Sequence, residues 1–153
     1  MTYILDTNVI SAVAPSHVDR AVALAQWMDE ASAALYLSVV SVMEVRDGIA
    51  KATREGAGRK AANLSSWWNS VEHLYFGRIL PFDFEAARIA GNLADLARGR
   101  GHNPGFSDIA IAATAQARGY VVLTRNIRHF APLGGLALDP FLALPPLPGG
   151  APN

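Results

Sequence analysis

The sequence predicts an α/β domain in which helices cover both faces of a central, mainly parallel β-sheet. Short apolar runs of strand length alternate with longer helical segments along the chain. Of the 153 residues, 51% are hydrophobic and only 17% are charged, which suffices for one well-formed core. Alternating strands and helices are typical of parallel sheets, because each crossover between parallel strands needs a helix. The predicted architecture is therefore a three-layer α/β/α sandwich.

In the first half of the chain, the apolar pattern predicts two strands separated by helices. Tyr3–Leu5 is an uninterrupted apolar run, which indicates a buried strand. A brief helix after it would end at Pro15, because proline cannot continue a helix interior. Apolar residues then recur with helical spacing, and a second apolar run follows. The predicted elements are a strand at 3–5, helices at 9–14 and about 18–31, a strand at 34–39, and helices at 41–51 and about 60–75.

The second half continues the alternation. Residues 109–117 are apolar on nearly every side, which is typical of a buried helix. Gly119 stands where a helix of this kind is expected to end, and Tyr120–Leu123 is predicted to be a third buried strand. The predicted elements are a strand at 79–80, helices at 84–98 and 109–117, a strand at 120–123 and a last strand at 136–138.

These elements predict one domain at residues 1–144, followed by a tail at residues 145–153. The tail reads "PPLPGGAPN", and we expect it to be disordered because proline and glycine dominate it. No apolar run approaches the roughly 20 residues that a membrane helix needs, and no signal peptide is visible. The chain contains no cysteine, which excludes disulfides and thiolate metal sites and suits a cytoplasmic setting.

The charge balance favours a local surface for nucleic acid over a general one. Thirteen basic residues balance thirteen acidic ones, so the chain lacks a strong overall basic field. A near-neutral, apolar-rich domain is also poorly protected against association, so part of its apolar surface is expected to contact a partner. Trp67 and Trp68 are adjacent on a predicted helix and cannot both face inward. One of them should therefore lie against a partner or solvent.

Acidic side chains stand where a parallel sheet would gather them. Asp6 follows the first strand, Glu44 lies near the start of the helix after the second strand, and Asp108 begins the most apolar helix. In parallel sheets, ligands bind beyond the carboxyl ends of the strands. Clustered carboxylates near a core repel one another and lose hydration, and a divalent cation such as Mg²⁺ or Mn²⁺ compensates for both effects.

Each of these acids also has a purely structural interpretation. Asp6 could cap the next helix, since aspartate favours such positions. Glu44 could complete a capping box with Ser41. Asp108 would interact favourably with a helix dipole whatever its role. These interpretations explain each position separately, but they do not explain why the acids would converge at one edge of a sheet.

Four stretches of the chain together resemble a known family. They read "YILDTNVI", "SVVSVMEV", "FSDIAIAATAQARGYVVLTRNIRHF" and "LALDPF". In this order they resemble the PIN-domain ribonucleases, and in particular the VapC-type toxins of bacterial toxin–antitoxin pairs. The likeness extends to about Phe141, and its most specific part runs from Ser107 to Phe130. It implies the three-layer fold and the activity of a metal-dependent endoribonuclease that acts as the toxin of a type II system.

The resemblance implies a metal-binding role for the positions that match the acidic motifs. Asp6, Glu44 and Asp108 correspond to the catalytic metal ligands, and the expected cofactor is Mg²⁺ or Mn²⁺. Such an ion would lower the pKa of a water molecule and offset the charge that develops during hydrolysis of an RNA phosphodiester bond. A further acidic position of the family is occupied here by Asn126, which offers only a weaker, neutral oxygen ligand.

Six neighbouring residues are expected to support this chemistry. Hydroxyl and amide side chains orient carboxylate ligands, and basic side chains after the third strand can face a phosphate backbone. The alternative interpretation of each basic residue is a solvated loop charge. The resemblance also implies a homodimer and a small cognate antitoxin as partners, besides the RNA. The expected supporting residues are Thr7, Asn8 and Thr124, and the expected RNA-contacting residues are Arg125, Arg128 and His129.

Three other classes of protein fit the sequence less well or remain open. A haloacid-dehalogenase-like phosphohydrolase carries a second acid two residues after the first, where this chain has Asn8. A receiver-like signalling domain needs a lysine at the end of a late strand, where this chain has Arg125. A nucleotide-binding domain lacks support, since no G-x-G-x-x-G or P-loop motif occurs. A catalytically weak PIN-like domain that binds RNA or a partner remains open because of Asn126.

Overall fold

The computed structural model describes residues 1–15 and 21–149. Within them, helices and strands alternate, as the sequence predicts. None of the helices in these ranges is both long and apolar enough to span a lipid bilayer. Single-turn 3₁₀ helices occupy Ser32–Ala34 and Ala131–Leu133. The main elements are β1 (Tyr3–Leu5), α1 (Thr7–Ala12), α2 (Val22–Glu30), β2 (Leu35–Ser38), α3 (Val39–Arg54), α4 (Gly58–Leu74), β3 (Ile79–Leu80), α5 (Phe84–Gly99), α6 (Phe106–Arg118), β4 (Val121–Leu123), α7 (Ile127–Phe130) and β5 (Ala137–Leu138).

The five strands form one sheet in the order β3-β2-β1-β4-β5, and all four neighbouring pairs are parallel. The central strand is β1, whose Tyr3 lies in register with Leu35 on one side and with Val121 on the other. Because every strand runs in the same direction, the carboxyl ends of all five meet at one edge of the sheet. The residues that follow β1, β2 and β4 therefore come together there.

Separate hydrophobic clusters cover the two faces of the sheet, so the predicted α/β/α sandwich is confirmed. Alternate residues of β1 point to opposite faces. Tyr3 and Leu5 pack in a first cluster with residues of α2 and α4, and Ile4 packs in a second cluster with residues of α5 and α6. Trp68 is fully buried in the first cluster, whereas Trp67 is half-buried at its edge. The prediction that only one of these tryptophans faces inward is confirmed.

Helices α1, α3 and α6 begin two or three residues earlier than the sequence predicts, and α6 begins at Phe106 instead of residue 109. Helix α1 begins at Thr7, directly after its capping residue Asp6. Helix α3 begins at Val39, because the Ser38 hydroxyl at the end of β2 accepts a hydrogen bond from the Val40 N–H and caps the helix. The capping box that pairs residues 41 and 44 is therefore a wrong interpretation, since both residues lie inside α3. The predicted start of the second helix, at about residue 18, lies outside the described residues.

The beginning of the predicted tail packs against the first hydrophobic cluster. The Trp27 indole N–H donates a hydrogen bond to the carbonyl of Pro145 at 2.8 Å, and the Tyr3 hydroxyl donates one to the carbonyl of Pro146 at 3.0 Å. Buried tryptophan and tyrosine side chains need such acceptors, and an irregular segment has free carbonyls to offer. The chain is therefore held at residues 145–146, where the sequence predicts disorder. Residues 150–153 of that tail lie outside the described residues.

Candidate active site

The candidate site begins where β1 and β4 end side by side. Asp6 directly follows β1, and its backbone N–H donates a hydrogen bond to the Leu123 carbonyl of β4 at 2.9 Å. Thr124 directly follows β4. Both side chains are buried: Asp6 is 5% exposed and Thr124 is 0% exposed. The sheet register thus places an acidic and a hydroxyl side chain next to each other in a position that water reaches poorly.

Both oxygens of the Asp6 carboxylate accept hydrogen bonds. Oδ1 accepts from the Thr7 backbone N–H at 2.8 Å, which also caps α1. Oδ2 accepts from the Thr124 hydroxyl at 2.7 Å and from the Asn8 side-chain amide at 3.1 Å. The capping interpretation of Asp6 is therefore correct as far as it goes. The same carboxylate is also held from the β4 side, which a helix cap alone does not require.

The electrostatic surroundings of Asp6 disfavour its charge. Burial raises the pKa of this carboxyl above its ordinary value, and hydrogen bonds from Thr124 and Thr7 only partly offset that effect. The negative charges of Asp108 and Glu44 raise the pKa further. Asp6 therefore lies close enough to Asp108 and to Glu44 for their charges to repel its own. A cation among them would relieve both the repulsion and the loss of hydration.

Glu44 is oriented by a residue of α1. The Thr7 hydroxyl donates a hydrogen bond to Glu44 Oε1 at 2.9 Å, and the same hydroxyl oxygen lies 3.0 Å from the Ser41 hydroxyl. Ser41 is fully buried. Thr7 thus contacts Asp6 through its backbone and Glu44 through its side chain. The contact of Ser41 with this network was not predicted from the sequence, although Ser41 stands three residues before Glu44 and therefore shares a helix face with it.

Asp108 lies in the first turn of α6 and faces α7. Its Oδ2 atom is 3.3 Å from Nδ1 of His129, and the side chain is 21% exposed, so it remains open to solvent. The position at the positive end of the α6 dipole is favourable for a carboxylate. The structure therefore brings His129 to an acid of the site, whereas a histidine with only a packing role would be buried.

The residues after β4 fold back over the site through backbone contacts. The Asn126 N–H donates a hydrogen bond to the Thr124 hydroxyl at 2.9 Å, and the Arg125 N–H donates one to Asn8 Oδ1 at 3.2 Å. The Asn126 side chain makes no capping hydrogen bond to α7, and the residue is exposed. The Arg125 guanidinium stacks on the ring of Phe141. In the sequence, only the closing "LALDPF" motif indicated that the segment containing Phe141 is related to the site.

Two open depressions border the acidic cluster, and both have basic residues in their walls. Asp108 lines a depression of about 380 Å³ together with Arg128, His129 and His102. The sequence did not indicate a role for His102. A second depression, of about 390 Å³, has Glu44 in its wall. Its polar walls include Thr7, Glu44, Lys51 and Lys60.

The donor set suits a hard divalent cation that keeps part of its hydration. Asp6, Glu44 and Asp108 offer carboxylate oxygens, which Mg²⁺ and Mn²⁺ prefer. In residues 1–15 and 21–149, no group of three acidic, histidine or cysteine side chains is compact enough to hold a metal by itself. Mg²⁺ sites commonly use only one or two carboxylates with waters and a substrate phosphate. The residues present fit such a partly hydrated ion and do not form an all-protein cage.

A protein-family model and several known proteins match the chain over most of its length. The family model for the PIN domain matches residues 3–135. VapC ribonuclease Y4jK of Sinorhizobium fredii is 36% identical over 139 residues, which cover 90% of this chain and 96% of that protein. Toxin FitB of Neisseria gonorrhoeae is 36% identical over 130 residues, which cover 83% and 89% of the two chains. The crystal structure of FitAcB from Neisseria gonorrhoeae superimposes with a TM-score of 0.77 at 31% identity, covering 92% of this chain and 99% of that one.

Proposed function

The chain belongs to the PIN domain family, and from this membership we propose that it is a metal-dependent endoribonuclease that acts as the toxin of a type II toxin–antitoxin pair. Relatives named as a VapC ribonuclease and as a toxin support both parts of the proposal. The observation that carries it is the buried Asp6 carboxylate, whose pKa is raised by burial and by the charges of Asp108 and Glu44. Such an arrangement of acids favours a bound cation.

Asp6, Asp108 and Glu44 are the residues that would hold Mg²⁺ or Mn²⁺. When bound, the ion supplies Lewis acidity, which activates a water molecule and offsets the charge that develops on the phosphate. Asn126 follows Thr124 closely and would add at most a neutral oxygen. Its lack of charge favours a single firmly held ion over two.

The surrounding residues hold the carboxylates in place before substrate arrives. Thr124 and Asn8 donate to one oxygen of Asp6, and the Thr7 hydroxyl donates to Glu44. Asp6 and Glu44 therefore have defined orientations, which lowers the cost of reorganisation during the reaction. Arg125, whose backbone N–H donates a hydrogen bond to Asn8, would contact the phosphate backbone of the RNA.

Arg128 and His129 are the other proposed RNA contacts. Both are exposed on α7 and line the depression that contains Asp108. An RNA strand in this depression would meet basic side chains immediately beside an acidic one. Such a local surface agrees with a chain whose net charge is zero.

An RNA cleavage assay tests the nuclease proposal. The purified chain is incubated with single-stranded RNA in Mg²⁺, in Mn²⁺ and in EDTA, and we expect cleavage only with a metal ion. Asp6→Asn and Asp108→Asn should each reduce cleavage by about 100-fold or more, because each removes a charged ligand. Asp95→Asn is the matched control, since Asp95 is exposed on α5 and, within residues 1–15 and 21–149, forms an ion pair only with Arg98. Cleavage that survives EDTA or the Asp6 change would refute the proposal.

RNA binding without cleavage in either metal would instead support the catalytically weak PIN-like domain. The same protein preparations distinguish the two functions if RNA binding is measured together with RNA cleavage. The Asn126 side chain is the feature that favours this second candidate, because it replaces an acid of the family pattern.

Growth measurements test the toxin proposal. Induced expression of the chain should arrest bacterial growth, and Asp108→Asn should relieve the arrest at an equal expression level. Equal arrest by both proteins would show that toxicity does not depend on this site.

The proposed partners are a second copy of the chain and a cognate antitoxin. Solved structures with a similar fold include VapBC complexes, some of them bound to DNA. Mass measurement of the purified chain tests the homodimer, and a monomer at micromolar concentration would contradict it. A small protein that copurifies with the chain, and relieves the growth arrest when the two are expressed together, would support the antitoxin partnership.

A further inference from the structure

A cation–aromatic stack lies beside the candidate active site. The guanidinium carbon of Arg125 is 3.7 Å from the centroid of the Phe141 ring. At this distance the positive charge is attracted by the electron-rich face of the ring. Arg125 directly follows Thr124, which holds Asp6, so the stack is next to the acidic cluster.

Both partners of the stack are placed by the sheet. The Thr124 N–H donates a hydrogen bond to the Leu138 carbonyl at 3.0 Å, which continues the pairing of β4 with β5 at their carboxyl ends. Beyond β5, the Asp139 carboxylate accepts a hydrogen bond from the Phe141 N–H at 2.9 Å and fixes the turn. Arg125 and Phe141 therefore emerge from neighbouring strands, and their contact does not depend on a ligand.

The stack also affects how the Arg125 charge interacts with the carboxylates of the site. An arginine that directly follows Thr124, the residue bonded to Asp6, is expected to turn towards the carboxylates and neutralise them. In the described residues, Arg125 forms no ion pair with any of the three. The ring occupies one face of the guanidinium, whereas the N–H donors at its rim stay available. Those donors match the oxygens of a phosphate group.

We propose that Phe141 is a positioning residue that holds the Arg125 guanidinium for a phosphate of single-stranded RNA next to the cleaved bond. The assignment rests on the proposed function, because it names a binding contact of the same site. Phe141 acts through Arg125 and does not itself contact the RNA. Without the ring, Arg125 is free to turn towards the carboxylates, and its contact with phosphate is lost.

A double-mutant cycle tests this assignment by RNA binding. Fluorescence anisotropy with a labelled single-stranded RNA of mixed sequence, in EDTA, is measured for Arg125→Ala, Phe141→Leu and the double variant. We expect each single change to weaken binding by about tenfold, because each removes the charged contact to phosphate. The double variant should bind as weakly as Arg125→Ala alone, and Phe141→Tyr should bind like the unchanged chain.

A second arginine–phenylalanine pair provides the matched control. Arg88 lies over Phe84 at 5.7 Å on α5, so Phe84→Leu removes a comparable ring without touching the site contacts described above. We expect normal RNA binding by Phe84→Leu. Circular dichroism of every variant confirms folding, and Phe141→Tyr together with Arg125→Ala still tests the assignment if Phe141→Leu does not fold.

Three results would overturn the assignment. They are wild-type binding by Phe141→Leu, an additive loss in the double variant, and weak binding by Phe141→Tyr. Cleavage measured in parallel with Mn²⁺ separates this assignment from the nuclease proposal. If the variants show the expected RNA-binding pattern but the chain does not cleave RNA, the role of Phe141 is supported and the nuclease proposal is rejected. A chain that cuts RNA while Phe141→Leu binds normally rejects only the role of Phe141, and absence of RNA binding rejects both.

Discussion

Removal of the Thr124 hydroxyl should destabilise the metal-free protein, because this group directly supports the buried Asp6 carboxylate. Thr124 is 0% exposed, so water cannot easily replace it. Its hydroxyl donates to Asp6 Oδ2 at 2.7 Å and accepts from the Asn126 N–H at 2.9 Å. Valine has nearly the same shape as threonine. Thr124→Val therefore removes these hydrogen bonds and changes the packing little.

The magnitude follows from the groups involved. A hydrogen bond to an ionised carboxylate contributes roughly 1.5–3 kcal/mol. The Asn126 N–H is only partly buried, so water can take over that bond at little cost. The additional methyl group of valine returns up to about 0.8 kcal/mol through burial of apolar surface. We therefore expect the free energy of unfolding at neutral pH to fall by about 1–2 kcal/mol.

The pH dependence has a definite sign. Burial raises the pKa of Asp6 in the folded state, so its contribution to stability is greatest below the unfolded pKa and is lost as pH rises through the folded pKa. The Thr124 hydrogen bond lowers the pKa of Asp6 and limits that loss. Without it, the pKa rises further and ionisation costs more. The destabilisation by Thr124→Val should therefore be larger at neutral pH than near pH ~4.

Urea unfolding in EDTA, followed by tryptophan fluorescence, measures this cost at both pH values. Thr114→Val is the matched control, because Thr114 is equally buried but its hydroxyl donates to the uncharged Ala110 carbonyl at 2.7 Å. The cost of the control should not change with pH. The reasoning would be refuted if Thr124→Val cost the same at both pH values, or no more than the control at neutral pH.

Three further predictions concern the metal and the C-terminal segment. Mn²⁺ at about 100 times its dissociation constant should stabilise the chain by roughly 2.7 kcal/mol in urea unfolding, and Asp6→Asn should abolish this gain; an equal gain in both proteins would contradict the metal assignment. Asn126→Asp should tighten Mn²⁺ binding measured by calorimetry, because it adds a charged oxygen ligand, whereas Asn92→Asp on α5 should leave Mn²⁺ binding unchanged. Equal Mn²⁺ affinities of the two variants would place residue 126 away from the ion. Trp27→Phe removes the hydrogen bond to Pro145, so it should destabilise the fold by about 1 kcal/mol and speed proteolysis near the C-terminus; an unchanged digestion rate would show that this bond does not hold the segment.

The sheet and its buried helix could be predicted from the sequence, because uninterrupted apolar runs have to lie between layers. Tyr3–Leu5, the run before Thr124 and the helix that contains Ile111 all occupy the expected places. The boundaries were harder to predict. The start of α3 depends on Ser38, which caps the helix only because β2 ends there and leaves its hydroxyl free to accept the Val40 N–H.

The C-terminal segment shows why composition can mislead. Proline and glycine predict disorder, since both are unfavourable in the interiors of helices and strands. The Trp27 indole and the Tyr3 hydroxyl are buried donors at distant points of the chain, and they take the carbonyls of Pro145 and Pro146 as acceptors. The local sequence of the C-terminal segment does not show that these distant donors need its carbonyls as acceptors.

For the candidate site, the sequence alone determined which residues stand at the ends of apolar runs. Asp6, Glu44 and Asp108 were identifiable because charged residues are few in this chain and these interrupt its most apolar segments. Tertiary structure decided what each one contacts. The Asp6–Thr124 hydrogen bond joins residues 118 positions apart, and the Arg125–Phe141 stack joins the ends of two neighbouring strands. Such contacts depend on strand order and register, which arise only when the whole sheet assembles.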